Sequence, residues 1–203
     1  MNLPNKISLT RICMIPVFVL TFFLDGVLPF NYVIAAVLFA VAACTDFIDG
    51  HIARSRGLVT NLGKFLDPIA DKVLVATAMV LLLTMQKSLF SILGALNTAV
   101  YIATAVCICV ILARELIISA FRQIAAANGV VMAAEKLGKY KTTVQDVAIT
   151  VLIFAADIPA LAGTVIAWVG FAAFAAATVL TVWSGISYVV KNKTVLQDKK
   201  AEQ

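Results

Sequence analysis

Residues 161–190 carry no charged side chain, and neither do residues 89–113. A helix needs about 20 apolar residues to cross the hydrocarbon of a bilayer, so these runs restrict the chain more than any other feature. The composition agrees. Of the 203 residues, 62% are hydrophobic and 13% charged, against about 45–50% and 25% in a soluble domain. The reading is one integral membrane domain over residues 1–190, followed by a polar tail at 191–203. The start, "MNLPNKISLTRICMIPVF", lacks the basic n-region and small-residue cleavage site of a secretory signal. It is expected to be a short amphipathic lead-in to the first span.

The fold class expected is therefore an all-α bundle of six transmembrane helices, at residues 7–24, 31–53, 65–85, 89–121, 141–156 and 161–190. Turn-like or polar pieces such as "DGVLPFN", "SRGLVTNLG", "QKS" and "ADIPALAG" separate them. Six spans put both termini on one side, and fifteen of the sixteen Lys and Arg residues then fall at or near that face. Only Lys87 lies opposite, with Asp25 and Asp157. By the positive-inside rule both ends are cytoplasmic, in the cell membrane. The net charge of +5 belongs to that face, where it suits anionic headgroups or phosphorylated substrates. Apart from Tyr140 between Lys139 and Lys141, no aromatics interleave with the basic residues, so a nucleic-acid partner is not expected. The four cysteines, Cys13, Cys44, Cys107 and Cys109, lie in apolar runs and are expected as small packed hydrophobes without disulfides.

Four aspartates stand against this background. Asp46 and Asp49 are three apart at the end of the second span, and Asp67 and Asp71 four apart at the start of the third. Each spacing puts a pair on one helix face, and a short link makes the helices antiparallel neighbours. A carboxylate at mid-bilayer costs about 2.5–3.5 kcal/mol on insertion scales, and four together repel. Divalent ions offset that repulsion. Mg²⁺ suits a few carboxylates plus phosphate oxygens, and two ions about 3.5–4 Å apart can clamp a phosphoryl displacement. The bland alternatives are a helix cap at Asp67-Pro68 and a turn at Asp49-Gly50. Gly50, Ala53 and Gly63 leave room for a ligand, Arg54 can fork to a phosphate, and Thr60 offers a hydroxyl.

The stretch "DFIDGHIARSRGLVTNLGKFLDPIAD" resembles the signature of the CDP-alcohol phosphotransferases, D-x2-D-G-x2-A-R-x8-G-x3-D-x3-D. It fits at every fixed position: Asp46, Asp49, Gly50, Ala53, Arg54, Gly63, Asp67 and Asp71. The resemblance implies transfer of a phosphatidyl or related group from a CDP-linked donor to an alcohol, with release of CMP. It implies that Asp46, Asp49, Asp67 and Asp71 hold two divalent ions, Mg²⁺ or Mn²⁺. It assigns CDP-diacylglycerol contacts to Asn5, Gly50, Ala53, Arg54, Thr60 and Gly63, a general-base role to Asp71, and a homodimer. His51 stands at a free position of the signature and is expected to face a loop or helix end.

Further along, "RELIISAFR" and "LGKYKT" resemble the branch that uses glycerol 3-phosphate, as does the opening "NLPNKISLTR". Arg114, Arg122, Lys139 and Lys141 would then bind the acceptor phosphate, which bare serine or choline would not require. Snorkelling of these residues to headgroups is the plain alternative. Trp168, Trp183 and Tyr188 read as packing or interface-belt residues, and "GFAAFAAA" as a close helix contact. Three rivals stay open: another acceptor such as inositol phosphate, an aspartate-rich prenyltransferase, and a divalent-metal transporter that uses the aspartates as its ion path.

Overall fold

The computed structural model describes residues 3–24, 26–55, 61–127 and 136–192. At 3–6, 46–55, 61, 62, 64, 65, 67, 127, 136, 137, 139 and 160 it describes the backbone alone. Six α-helices account for most of it: α1 (Leu3–Phe22), α2 (Asn31–Ser55), α3 (Asn61–Thr84), α4 (Asn97–Ala127), α5 (Lys136–Ala155) and α6 (Ala160–Lys191). No strand occurs among the described residues. Two helical stretches, Gln86–Ala126 and Leu161–Lys191, are long and apolar enough to cross a membrane. Only 17% and 33% of their 18-residue apolar windows are buried inside the bundle, whereas the core helix of a soluble protein is mostly buried. The apolar parts of α1 and α2, Ile7–Phe22 and Asn31–Thr45, are shorter.

Several expectations are corrected. The fourth helix was expected to run unbroken over 89–121, but a π-helical turn (Gln86–Phe90) and a 3₁₀ helix (Ser91–Leu96) precede α4. Gly94 marks the break, with φ 60° and ψ −127°, a backbone state that costs a side-chain-bearing residue energy but not glycine. Among the described residues the first helix is continuous from Leu3, so the lead-in expected before residue 7 belongs to the same helix as the span. In α3, Asp67 and Pro68 lie well inside the helix rather than capping its start, and α2 stays helical through Asp49 and Gly50. Neither bland alternative for the aspartates survives. Cys13, Cys44 and Cys109 are exposed rather than packed, and all four cysteines are free. Tyr188 is buried, whereas Trp168 and Trp183 are exposed.

The core is an apolar layer running the length of the bundle. Phe18 packs edge-on to Phe22, with ring centroids 5.2 Å apart, and beside Phe39 of α2. Met79, Leu82 and Met85 of α3 continue it toward Leu89 and Phe90. Small residues set the α5–α6 contact: a Cβ on Gly170 would stand 2.8 Å from the Leu152 side chain. The α5–α6 turn is tighter, since a Cβ on Gly163 would meet the Ile158 carbonyl oxygen at 2.2 Å. From within that turn, Asp157 reaches α2, where its Oδ2 accepts the Val33 N–H at 2.8 Å. It thereby satisfies one of the donors that a helix start leaves unpaired. Asn31 donates to the Thr21 carbonyl at 3.1 Å and ties the same end of α2 to α1.

Candidate active site

At the aspartate-bearing end of the bundle, α3, α4 and α5 enclose a cavity of about 230 Å³. Helical periodicity decides which side chains reach it. Asp71, Val75 and Met79 recur every fourth residue on α3, Leu112, Glu115 and Leu116 share a face of α4, and Lys141 and Gln145 are one turn apart on α5. Lys72 also lines the cavity, and its Nζ donates to Ser119 Oγ of α4.

Glu115 organises the charges. Its Oε1 accepts a hydrogen bond from Arg114 Nη1 at 3.0 Å and another from Lys141 Nζ, so one carboxylate holds two cations. The Lys141 side chain is 6% exposed, Arg114 14% and Glu115 27%. A cation buried to this degree requires a partner, yet one carboxylate balances only one of the two. Asp71 and Asp146 stand near Lys141 as further acids, and an anionic phosphate entering the cavity can accept charge-assisted hydrogen bonds from Lys141 and Arg114. Arg114 also donates to Ser184 Oγ of α6 at 2.9 Å. It lies flat there because residue 185 is glycine: a Cβ would stand 3.0 Å from the Arg114 side chain.

The expected site residues separate into three groups. Asp71 and Lys141 line the same cavity, and Arg114 joins them through Glu115. Arg122, two turns further along α4, is exposed and turns to α6 instead. Its Nε donates to the Tyr188 hydroxyl at 3.3 Å and its guanidinium lies over that ring, 5.3 Å from the centroid. This contact, with Phe121 packed on the same ring, is why Tyr188 is buried rather than part of a belt. Asp46, Asp49, Gly50, Ala53 and Arg54 lie in α2, Gly63 and Asp67 in α3, Asn5 in α1 and Lys139 in α5. Gly63 is buried. The side chains of Asn5, Asp46, Asp49, Ala53, Arg54, Asp67 and Lys139 lie outside the described residues, as does Thr60 entirely.

Four carboxylates are a hard oxygen donor set, which fits Mg²⁺ or Mn²⁺ better than a soft metal. The helical backbone keeps Asp46 and Asp49 three residues apart in α2, and Asp67 and Asp71 four apart in α3.

The sequence reading missed some neighbours of the site. Glu115 is the only acid in α4, and Arg11 is a cation inside the apolar first helix. Each was a visible signal, since charge within an apolar helix usually has a purpose. Arg11 is 1% exposed, and its Nε donates to Thr45 Oγ1 at 3.4 Å, one residue before Asp46. Gln145 gave no such signal.

Over residues 1–183 the chain matches the family model described as CDP-alcohol phosphatidyltransferase. It belongs to that family. Among its relatives is a Bacillus subtilis (strain 168) protein named CDP-diacylglycerol–glycerol-3-phosphate 3-phosphatidyltransferase. That protein is 38% identical, over 75% of this chain and 76% of its own length. Proteins of the same name from Escherichia coli (strain K12) and Shigella flexneri are each 38% identical, over 98% of both chains. The matched range includes the signature on α2 and α3 and the cations on α4 and α5.

Proposed function

We propose that the protein transfers the phosphatidyl group of CDP-diacylglycerol to sn-glycerol 3-phosphate, giving phosphatidylglycerophosphate and CMP. The observation that carries this reading is that Asp71 and Lys141, one from each half of the site, line a single cavity. The names of the relatives support the choice of acceptor.

In this mechanism Lys141 and Arg114 take the acceptor phosphate, with Lys139 and Arg122 contributing charge at the same end of the bundle. Asp71 receives the proton of the C1 hydroxyl, whose oxygen bonds to the diacylglycerol-linked phosphorus. The bond from that phosphorus to the CMP oxygen breaks, and CMP leaves. Asn5, Gly50, Ala53, Arg54, Thr60 and Gly63 form the donor-nucleotide side. Asp46, Asp49, Asp67 and Asp71 would hold two divalent ions, which when bound neutralise charge on the donor pyrophosphate. The enzyme is a homodimer of single-domain chains (1–190, with a tail at 191–203) in the cell membrane. It has six spans, with both termini and the active site cytoplasmic.

Purified protein given CDP-diacylglycerol, Mg²⁺ and glycerol 3-phosphate is expected to release CMP, and chelation to stop it until Mg²⁺ or Mn²⁺ is restored. Release only with inositol phosphate or another alcohol would overturn the acceptor and leave the transferase class standing. Metal flux into liposomes without lipid turnover would instead favour a transporter, against which the transferase family already weighs.

A further inference from the structure

Gln145 sits one helical turn beyond Lys141 on α5, lines the same cavity and is 3% exposed. Among the described residues its Nε2 reaches only Met79 Sδ, at 3.8 Å, and a thioether is a weak acceptor. Its Oε1 has no hydrogen-bond partner among the described residues. Val75, Met79 and Leu112 supply apolar wall there, and the Thr142 hydroxyl, which also lines the cavity, donates to the Gly138 carbonyl. A buried amide oxygen without a donor is costly, and nearly all such groups in folded proteins find one. An apolar side chain would fill the position at lower cost, so the amide points to a donor that arrives with a ligand.

The cavity narrows the choice of that donor. At about 230 Å³ it falls below the roughly 300–1,000 Å³ of drug-sized pockets, a size for a small phosphorylated polyol. One helical turn separates Lys141 from Gln145 by about 6 Å along the axis. A ligand whose phosphate meets the Lys141–Glu115–Arg114 group is thus within reach of the amide through a hydroxyl on its carbon chain. Lys72 and Lys141 line the same space, so a neutral hydroxyl suits Gln145 better than an ammonium group.

Building on the transfer to glycerol 3-phosphate proposed above, we infer that Gln145 is a specificity-determining residue. Its Oε1 accepts a hydrogen bond from the middle hydroxyl of the acceptor and so presents the terminal hydroxyl for attack.

The test compares CMP release with sn-glycerol 3-phosphate and with 3-hydroxypropyl phosphate, which lacks only the middle hydroxyl. The wild-type protein is expected to prefer the former by tenfold or more in kcat/KM. Gln145→Met and Gln145→Leu, each checked for folding by thermal melting, are expected to lose that factor with glycerol 3-phosphate and use both phosphates equally. A merely structural role would lower both rates and preserve their ratio. A wild-type protein indifferent to the middle hydroxyl, or a folded variant that keeps the full preference, overturns the inference and leaves the transfer reaction intact. CMP release with neither three-carbon phosphate but with another alcohol overturns the acceptor reading, and this inference with it.

Discussion

Around Phe18, Phe39 and Met85 the helices meet through apolar shape, whereas around Glu115 they meet through charge. The apolar region has aromatic rings in edge contact and buried methionines, with nothing that depends on protonation or ligand. The charged region holds two cations on one carboxylate, an arginine seated against a glycine, and an amide oxygen without a donor. The first contributes stability through burial alone. The second places expensive groups where a phosphate can complete them, so it should respond to substrate while the first does not.

The largest effect that would sharpen this contrast lies in the charged region. Asp71→Asn is expected to lower CMP release by about 10²–10⁴-fold at unchanged thermal midpoint in detergent, and Asp67→Asn likewise. Wild-type rates in both would remove the proposed site. Glu115→Ala leaves Lys141 and Arg114 without their shared partner and is expected to cost about 3 kcal/mol of stability. Denaturant unfolding in micelles reads it, and added glycerol 3-phosphate should recover part of the loss if these two cations bind phosphate.

The apolar region should behave in the opposite way. In Gly163→Ala the new Cβ meets a backbone carbonyl that cannot move aside, for an expected loss of about 1–3 kcal/mol. The activity of the molecules that remain folded should be unchanged, and a fall in their specific activity would break the comparison. The smallest effect is Asp157→Ala, which removes the bond to the first turn of α2 and should cost about 1 kcal/mol.

Much of this division could be read from the sequence because it is written in periodicity. Six apolar segments gave six helices, and intervals of three and four gave the aspartate pairs their places on α2 and α3. The aspartates also sorted themselves from caps and turns once α3 proved to begin at Asn61. Two kinds of feature stayed hidden. The break at Gly94 was invisible because its neighbours are as apolar as the helix that follows, and hydropathy does not record φ. The partners of the cations were invisible because they come from distant helices. Arg114 finds Ser184 and Arg122 finds Tyr188, seventy and sixty-six positions away. No spacing rule on one helix encodes the register of another. Gln145 lay in a polar stretch where nothing distinguished it from a solvated residue until packing buried it.

Asp157 and Asn31 have a mechanical consequence. They fasten α2 at the end remote from the aspartates, to the α5–α6 turn and to α1. From there to Asp46 and Asp49 the helix advances about 22–27 Å at its rise per residue. The helix is held along that length as well, by Phe39 against Phe18 and by Thr45, whose Oγ1 accepts the Arg11 Nε–H one residue before Asp46. Pinned at its base and again beside Asp46, α2 can shift at its aspartate-bearing end only if α1 moves with it.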